Sequence, residues 1–376
     1  MKIVSKKNFN KLVNDLIAND SREVVGVQSK KDHYVFDKLD EARDLALDYD
    51  VTILPPKKYF LPQKEKILEY EKSDGEFSTE PNLEIEPRII VGIHPYDLIA
   101  IQQLDKVFSD TYEDEYYLNK REDCILIGVN MQNVSDWSFA ASMGTATTDS
   151  GYDLMLTDLG QNYAVDIGSA KGSDLLDDVQ TRDASPEEVE KVEKIKEDFE
   201  KDFDKELEFS PEELPTLLGK NYGNKEFWEE NAEKCYSCGS CNLVCPTCYC
   251  FDVEDLNKIT LDGGERIRRW DGCLLEEFAV VAAGENFRDQ RWERYRHRYM
   301  RKGRYIYEKY GDIACVGCGR CSSQCVPDIA DPSRIFNELK VKKEEKTKNK
   351  KIEKNKDKNN EKNEKKTIID KIRGKL

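Results

Sequence analysis

Three short stretches of the chain, EVVGVQ (23–28), RIIVGI (88–93) and CILIGV (124–129), are apolar almost without interruption. That is the pattern of strands buried on both faces of a sheet. Between the second and third, DLIAIQQLDKVF sets Leu98, Ile101, Leu104 and Phe108 at helical spacing, so strand, helix and strand succeed one another. DLMLTD and YAVDIG then predict a hairpin closed at LGQN, where Gly160 and Asn162 suit a turn. Near residue 185 the period becomes helical. Ser185, Pro186 and Glu188 predict a capping box, and Val189, Val192, Ile195, Phe199 and Phe203 continue one apolar face. A second box at Ser210, Pro211 and Glu213 predicts a further helix, which Pro215 shortens or kinks. Further on, LLEEFAVVAAGENF and RDQRWERYRHRYMRKGRYIYEKYG read as helix.

Charge divides the chain unevenly. Residues 341–376 hold 15 Lys/Arg against 7 Asp/Glu, which leaves 44 against 68 in the preceding 340 residues. A body so acidic is repelled by a phosphate backbone, so nucleic acid is not an expected partner for it. The tail is low-complexity Lys, Asn and Glu with almost nothing to bury, and predicts a disordered, solvated extension. No apolar run approaches the ~18–20 residues of a membrane span, and the first twenty residues carry no apolar signal core. A soluble, cytoplasmic protein is expected. In such a compartment clustered cysteines bind metal or do redox chemistry more readily than they form disulfides.

The cysteines are clustered indeed. Cys235, Cys238, Cys241 and Cys245 follow the spacing CxxCxxCxxxC with Pro246 next, and Cys315, Cys318, Cys321 and Cys325 repeat it. Eight of the twelve cysteines therefore belong to one internal repeat. Zinc sites show separated CxxC pairs or include histidine, whereas this chain has three histidines in all. Three thiolates on one loop with a fourth a turn later match the bacterial ferredoxin run, in which the fourth cysteine ligates the other cluster. The expectation is two [4Fe–4S] clusters, one on Cys235, Cys238, Cys241 and Cys325, the second on Cys315, Cys318, Cys321 and Cys245. The fold class expected is α+β: an N-terminal α/β scaffold and docking domain (1–220), an α-helical two-cluster ferredoxin-like domain (221–338) and the basic tail (339–376).

Residues 288–304 contain eight Lys/Arg and only Asp289 and Glu293 as acids. They read either as a solvated basic face, with Trp292, Tyr295 and Tyr299 packing at helical spacing, or as cations set beside anionic clusters. RNA binding through arginines interleaved with aromatics is a third reading. Cys124, inside CILIGV, is expected to be a buried small hydrophobe. Cys248, Cys250 and Cys273 stay open between packing beside a cluster and a metal or redox role of their own. Residues two apart face opposite ways in regular structure, so Cys248 and Cys250 share a ligand only from an irregular loop.

PPKKYFLPQ, GIHPYDLIAIQQLDKVF, YYLNKRED, SMGT, GYDLMLTDLG, CGSCNLVCPTCYCFDVED, GERIRRWDGC, NFRDQRWERYRHRYMRKGRY and CVGCGRCSSQC together resemble the β subunits of cytosolic sulfhydrogenases and the A subunits of anaerobic sulfite reductases. The resemblance spans roughly residues 50–335. It implies a subunit relaying electrons between a flavin- and NAD(P)H-binding, ferredoxin-reductase-like partner and a catalytic one, nickel–iron hydrogenase or sirohaem sulfite reductase. The family pattern has cysteine where this chain has Tyr96, Ser138 and Ala140, so no cluster is expected in the N-terminal half. No nucleophile–base pair, Walker loop or GxGxxG fingerprint is present, and no catalytic residue is expected. Two other readings are an iron–sulfur regulator binding nucleic acid, and an enzyme working at Cys248, Cys250 and Cys273.

Overall fold

The computed structural model describes residues 1–340 apart from Asp74 and Glu84. The Lys-rich stretch 341–376, for which disorder is expected, lies outside the described residues. Met1–Ser333 form one compact unit, and Arg334 begins a second. Helices and sheets are mixed, as the α+β expectation has it.

Among the described residues, twelve strands form two sheets. They are β1 (Lys2–Ser5), β2 (Glu23–Lys30), β3 (His33–Lys38), β4 (Lys64–Ser73), β5 (Glu76–Pro81), β6 (Arg88–Ile93), β7 (Cys124–Val129), β8 (Leu154–Asp158), β9 (Asn162–Ile167), β10 (Thr181–Asp183), β11 (Phe251–Asn257) and β12 (Gly263–Trp270). The larger sheet runs β10-β1-β9-β8-β7-β6-β2-β3. Its centre, β2, β6, β7 and β8, is parallel, and the flanking pairs are antiparallel. The three apolar runs are β2, β6 and β7, neighbours at the heart of the core with Val25, Ile90 and Leu126 fully buried. Helix Pro95–Phe108 crosses from β6 towards β7 and buries Leu98, Ile101, Leu104 and Phe108. Gly160, at φ +99°, makes the turn between β8 and β9.

The capping box is present: the Ser185 hydroxyl accepts from the Glu188 N–H, and the Glu188 carboxylate accepts from the Ser185 N–H, at the start of helix Pro186–Phe199. At the second box the Ser210 side chain makes no cap. A 3₁₀ turn, Pro211–Glu213, precedes helix Leu214–Asn221, whose first turn takes Pro215 without a lost hydrogen bond.

The stretch between the two cysteine runs departs from its helical reading. Residues 251–270 are the β11–β12 hairpin, and β12 pairs with β4, about 200 residues earlier in the chain, to make the second sheet, β11-β12-β4-β5. LLEEFAVVAAGENF is not one helix. It has a 3₁₀ turn at Glu277–Ala279, after which Val280 bridges Asn286 through a reversal at Gly284, φ +79°. Glycine there takes the left-handed conformation that ends a helix. The basic segment is helical as expected: Arg291–Met300, a π-helical turn at Arg301–Tyr305, and Ile306–Tyr310 closed by Gly311 at φ +81°.

Candidate iron–sulfur sites

The repeated spacing folds into a repeated backbone. In the first run Ser237 (φ +52°) and Gly239 (φ +72°) are left-handed, and in the second Gly317 (φ +64°) and Gly319 (φ +78°) take the same places. Each loop enters a single helical turn, Ser240–Leu243 or Arg320–Ser323, that carries the third cysteine. The fourth follows one turn later.

Cys235, Cys238 and Cys241 meet Cys325, from the other run, around one cavity that Leu274, Tyr295 and Ile329 also line. Backbone N–H groups donate to two of these sulfurs: Ser237 to Cys235 Sγ at 3.4 Å, and Ile329 and Ala330 to Cys325 Sγ, both at 3.4 Å. N–H donors to sulfur favour the thiolate and are one lever on a cluster's potential. The site reaches the surface, because Cys238 is exposed and Tyr236 (69%) and Val326 (88%) flank it.

In the second set Cys318 and Cys321 are buried and Cys315 half-buried, with none exposed as Cys238 is, and the Cys245 thiol is close enough to act electrostatically on all three. Burial pushes the Cys318 and Cys241 thiols up to about 12, and those of Cys315 and Cys321 up as well. Dry thiols of this kind ionise when a metal supplies the positive charge that water cannot. Cys245 behaves in the opposite sense. A hydrogen bond from Cys248, the Lys302 and Lys57 ammonium groups and the Thr247 hydroxyl hold it well below the usual thiol range, against the opposing effect of burial. Lys302 Nζ donates to Thr247 Oγ1 at 2.6 Å, and Lys57 Nζ to the Cys248 carbonyl at 2.6 Å. Burial brings Lys57 down to about 8.

The basic segment shows both faces foreseen for it. Arg294, Arg298 and Lys302, four residues apart, are buried beside Tyr295 and Tyr299. Arg298 lies beside Cys241 of the first set and Cys321 and Cys245 of the second. Arg296, by contrast, stacks outside on Tyr222 and Trp292. No sequence pattern singled out Lys57, Asn242 or Thr247, which the fold brings to the cysteines.

The second run is also clamped to the α/β sheet. Arg320 is 1% exposed, donates to both Asp97 carboxylate oxygens at 2.7 and 2.6 Å, and reaches the carbonyl and hydroxyl of Thr52, each at 2.8 Å. Burial lifts the Asp97 carboxyl and the guanidinium pulls it down again. We read the pair as ionised, since arginine keeps its proton. The three positions that depart from the family pattern converge here: Tyr96 and Ala140 pack with Val316 and Cys318, and Ser138 Oγ donates to the Gly317 carbonyl at 3.0 Å. His94, stacked on Tyr49, hydrogen-bonds the Tyr96 hydroxyl at 2.8 Å.

Cys124 is buried in β7, its thiol raised to about 11 by burial, as a small hydrophobe should be. Cys248, Cys250 and Cys273 gather around a separate cavity. Among the described residues no three His, Cys, Asp or Glu side chains are grouped so as to hold a metal ion, and no helix is long and apolar enough to cross a membrane.

Residues 234–329, which include all eight repeated cysteines, match the 4Fe-4S dicluster domain, which supports [4Fe–4S] cluster binding by this part of the chain. No solved structure matches the chain. Over 316 residues it is 32% identical to sulfhydrogenase 2 subunit beta of Pyrococcus furiosus, covering 82% of this chain and 89% of that one. An identity that covers so much of both chains makes this chain a member of the sulfhydrogenase β-subunit family.

Proposed function

We propose that the chain is a non-catalytic electron-transfer subunit, relaying electrons between a flavin- and NAD(P)H-binding subunit and the catalytic subunit of a nickel–iron hydrogenase. The observation that carries this reading is the meeting of Cys235, Cys238 and Cys241 with Cys325 around one surface-reaching cavity, beside a second set to which Cys245 crosses over. In this reading residues 221–338 carry the clusters, with ligands divided as the spacing predicts, and residues 1–220 scaffold and dock. Bound there, each [4Fe–4S] cluster supplies a one-electron couple. The chain's own residues do the rest. Cysteine thiolates grip the irons, backbone N–H groups donate to sulfur, and the buried Arg298 and Lys302 offset the negative charge of the thiolate-bound groups, which favours the reduced form. Exposed Tyr236 and Val326 give a partner an apolar contact next to the outer cluster.

The likeness to a hydrogenase subunit favours hydrogenase over sirohaem sulfite reductase as the catalytic partner. Affinity purification of the tagged chain from its source cells tests this. Nickel–iron hydrogenase and flavoprotein subunits should copurify, with hydrogen-dependent reduction of NAD(P)⁺. Copurification of a sirohaem protein with sulfite reduction would replace the partner, and purification of the chain with nucleic acid and no redox protein would end the reading.

A further inference from the structure

The hairpin that interrupts the helical reading brings together the three cysteines outside the repeat. Phe251 pairs with Trp270, and the Asp271 N–H donates to the Cys250 carbonyl at 3.1 Å, so the chain leaving β12 returns beside the chain that entered β11. Residues 248–250 are irregular, which removes the bar on neighbours two apart sharing a ligand. Cys248, Cys250 and Cys273 consequently line one cavity, similar in size to the cavity of Cys235, Cys238, Cys241 and Cys325.

The surroundings suit an anion built on those sulfurs. Asn242 Nδ2 donates to Cys273 Sγ at 3.4 Å and Cys248 Sγ at 3.7 Å, while its Oδ1 accepts from the Leu274 N–H at 3.3 Å, which fixes the amide's orientation. Gly272 makes room, since a Cβ there would stand 2.8 Å from Asn242 Cβ. Arg298, Arg301 and Lys302 reach the cavity from one side of the helical segment. Arg298 is 2% exposed, and its Nε and Nη1 have no hydrogen-bond partner among the described residues. Buried cations with unmet donors call for negative charge. A thiolate-bound cluster provides it.

We propose that Cys248, Cys250 and Cys273 hold a third, cuboidal iron–sulfur cluster, with one iron left without a cysteine. A cluster suits this cavity because it matches in size the one that Cys235, Cys238, Cys241 and Cys325 line. The proposal goes beyond the two-cluster reading and uses it for the comparison of cavities. Cys248 hydrogen-bonds to Cys245, so the third site adjoins the second. The iron without a cysteine takes a small exogenous ligand such as water or a thiol.

Iron and acid-labile sulfide are counted on the full chain, prepared anaerobically and reconstituted with ferrous iron and sulfide, in wild type and in a Cys250→Ser/Cys273→Ser variant. About twelve irons are expected in wild type and about eight in the variant, four for each cube. Mild ferricyanide oxidation of wild type should release the iron that lacks a cysteine and give the electron paramagnetic resonance signal of a three-iron cluster, absent from the variant. Wild type with about eight irons and no three-iron signal overturns the third cluster and leaves the two others standing. Zinc in place of iron, or about four irons or fewer, overturns both readings. The two wild-type readouts need no variant to fold.

Discussion

The two cysteine runs share their spacing and their left-handed loop positions, and differ in what surrounds them. The first is held lightly: Cys238 is exposed, and the Ser240 hydroxyl donates to the Gln324 carbonyl at 3.3 Å. The second is locked. Arg320, at the position equivalent to Ser240, is tied to Asp97 and Thr52, and Gly317 and Gly319 lie against the backbone of residues 137–140. Spacing therefore dictates the loop, while the neighbours decide whether it faces a partner or the core. An outer site that exchanges electrons with another protein and an inner site that is kept dry are the roles this difference suits.

The largest effect expected is at Arg320. Arg320→Met leaves the Asp97 carboxylate buried without its partner, which should lower stability by about 3–5 kcal/mol. Ser240→Ala should cost under about 1 kcal/mol. Denaturant midpoints measured on both check the contrast, and equal losses would remove it. Next come the paired loop positions. Gly317→Ala forces a Cβ to 2.8 Å from Ala140 Cα at φ +64°, a loss of about 1–3 kcal/mol, whereas Ser237→Gly relieves a left-handed serine and should be neutral or slightly stabilising. Thermal unfolding of the two variants side by side reads this.

The smallest effect concerns pH. Burial, with Arg288 and Arg296 nearby, lowers His297 to about 4 from 6.5. Between those values the unfolded chain binds the extra proton, so this contribution to stability is full above pH 6.5 and fades as the pH falls towards 4. His297→Gln should lose less stability than wild type between pH 7 and 5, and parallel pH profiles would show that His297 contributes nothing there.

The parallel centre of the large sheet was legible because β2, β6 and β7 are buried on both sides and so are apolar throughout. The eight cysteines were legible because their spacing is local. What escaped the sequence is non-local. β12 carries Arg266, Arg268 and Arg269 where apolar residues would mark a strand, and Arg268 is buried on the Glu65 carboxylate at 2.7 Å, a partner about 200 residues away. Nothing near GGERIRRW announces that pairing. The TLDGG turn between β11 and β12 was the available signal. The basic segment was half legible: cations beside the clusters were one of its readings, but which of them turn inward, Arg298 and Lys302 among them, depends on sulfurs carried by other elements. Tyr96, Ser138 and Ala140 stood out only as separate departures from a family pattern, and the fold makes them neighbours of a single loop.

Electron paramagnetic resonance of dithionite-reduced Cys325→Ser, compared with Cys238→Ser and Cys318→Ser, tests most directly whether the runs exchange their fourth cysteines. The account predicts that Cys325→Ser alters the same cluster signal as Cys238→Ser and leaves intact the one that Cys318→Ser removes. A Cys325→Ser spectrum matching that of Cys318→Ser, or protein that is zinc-loaded and silent in every case, would contradict it.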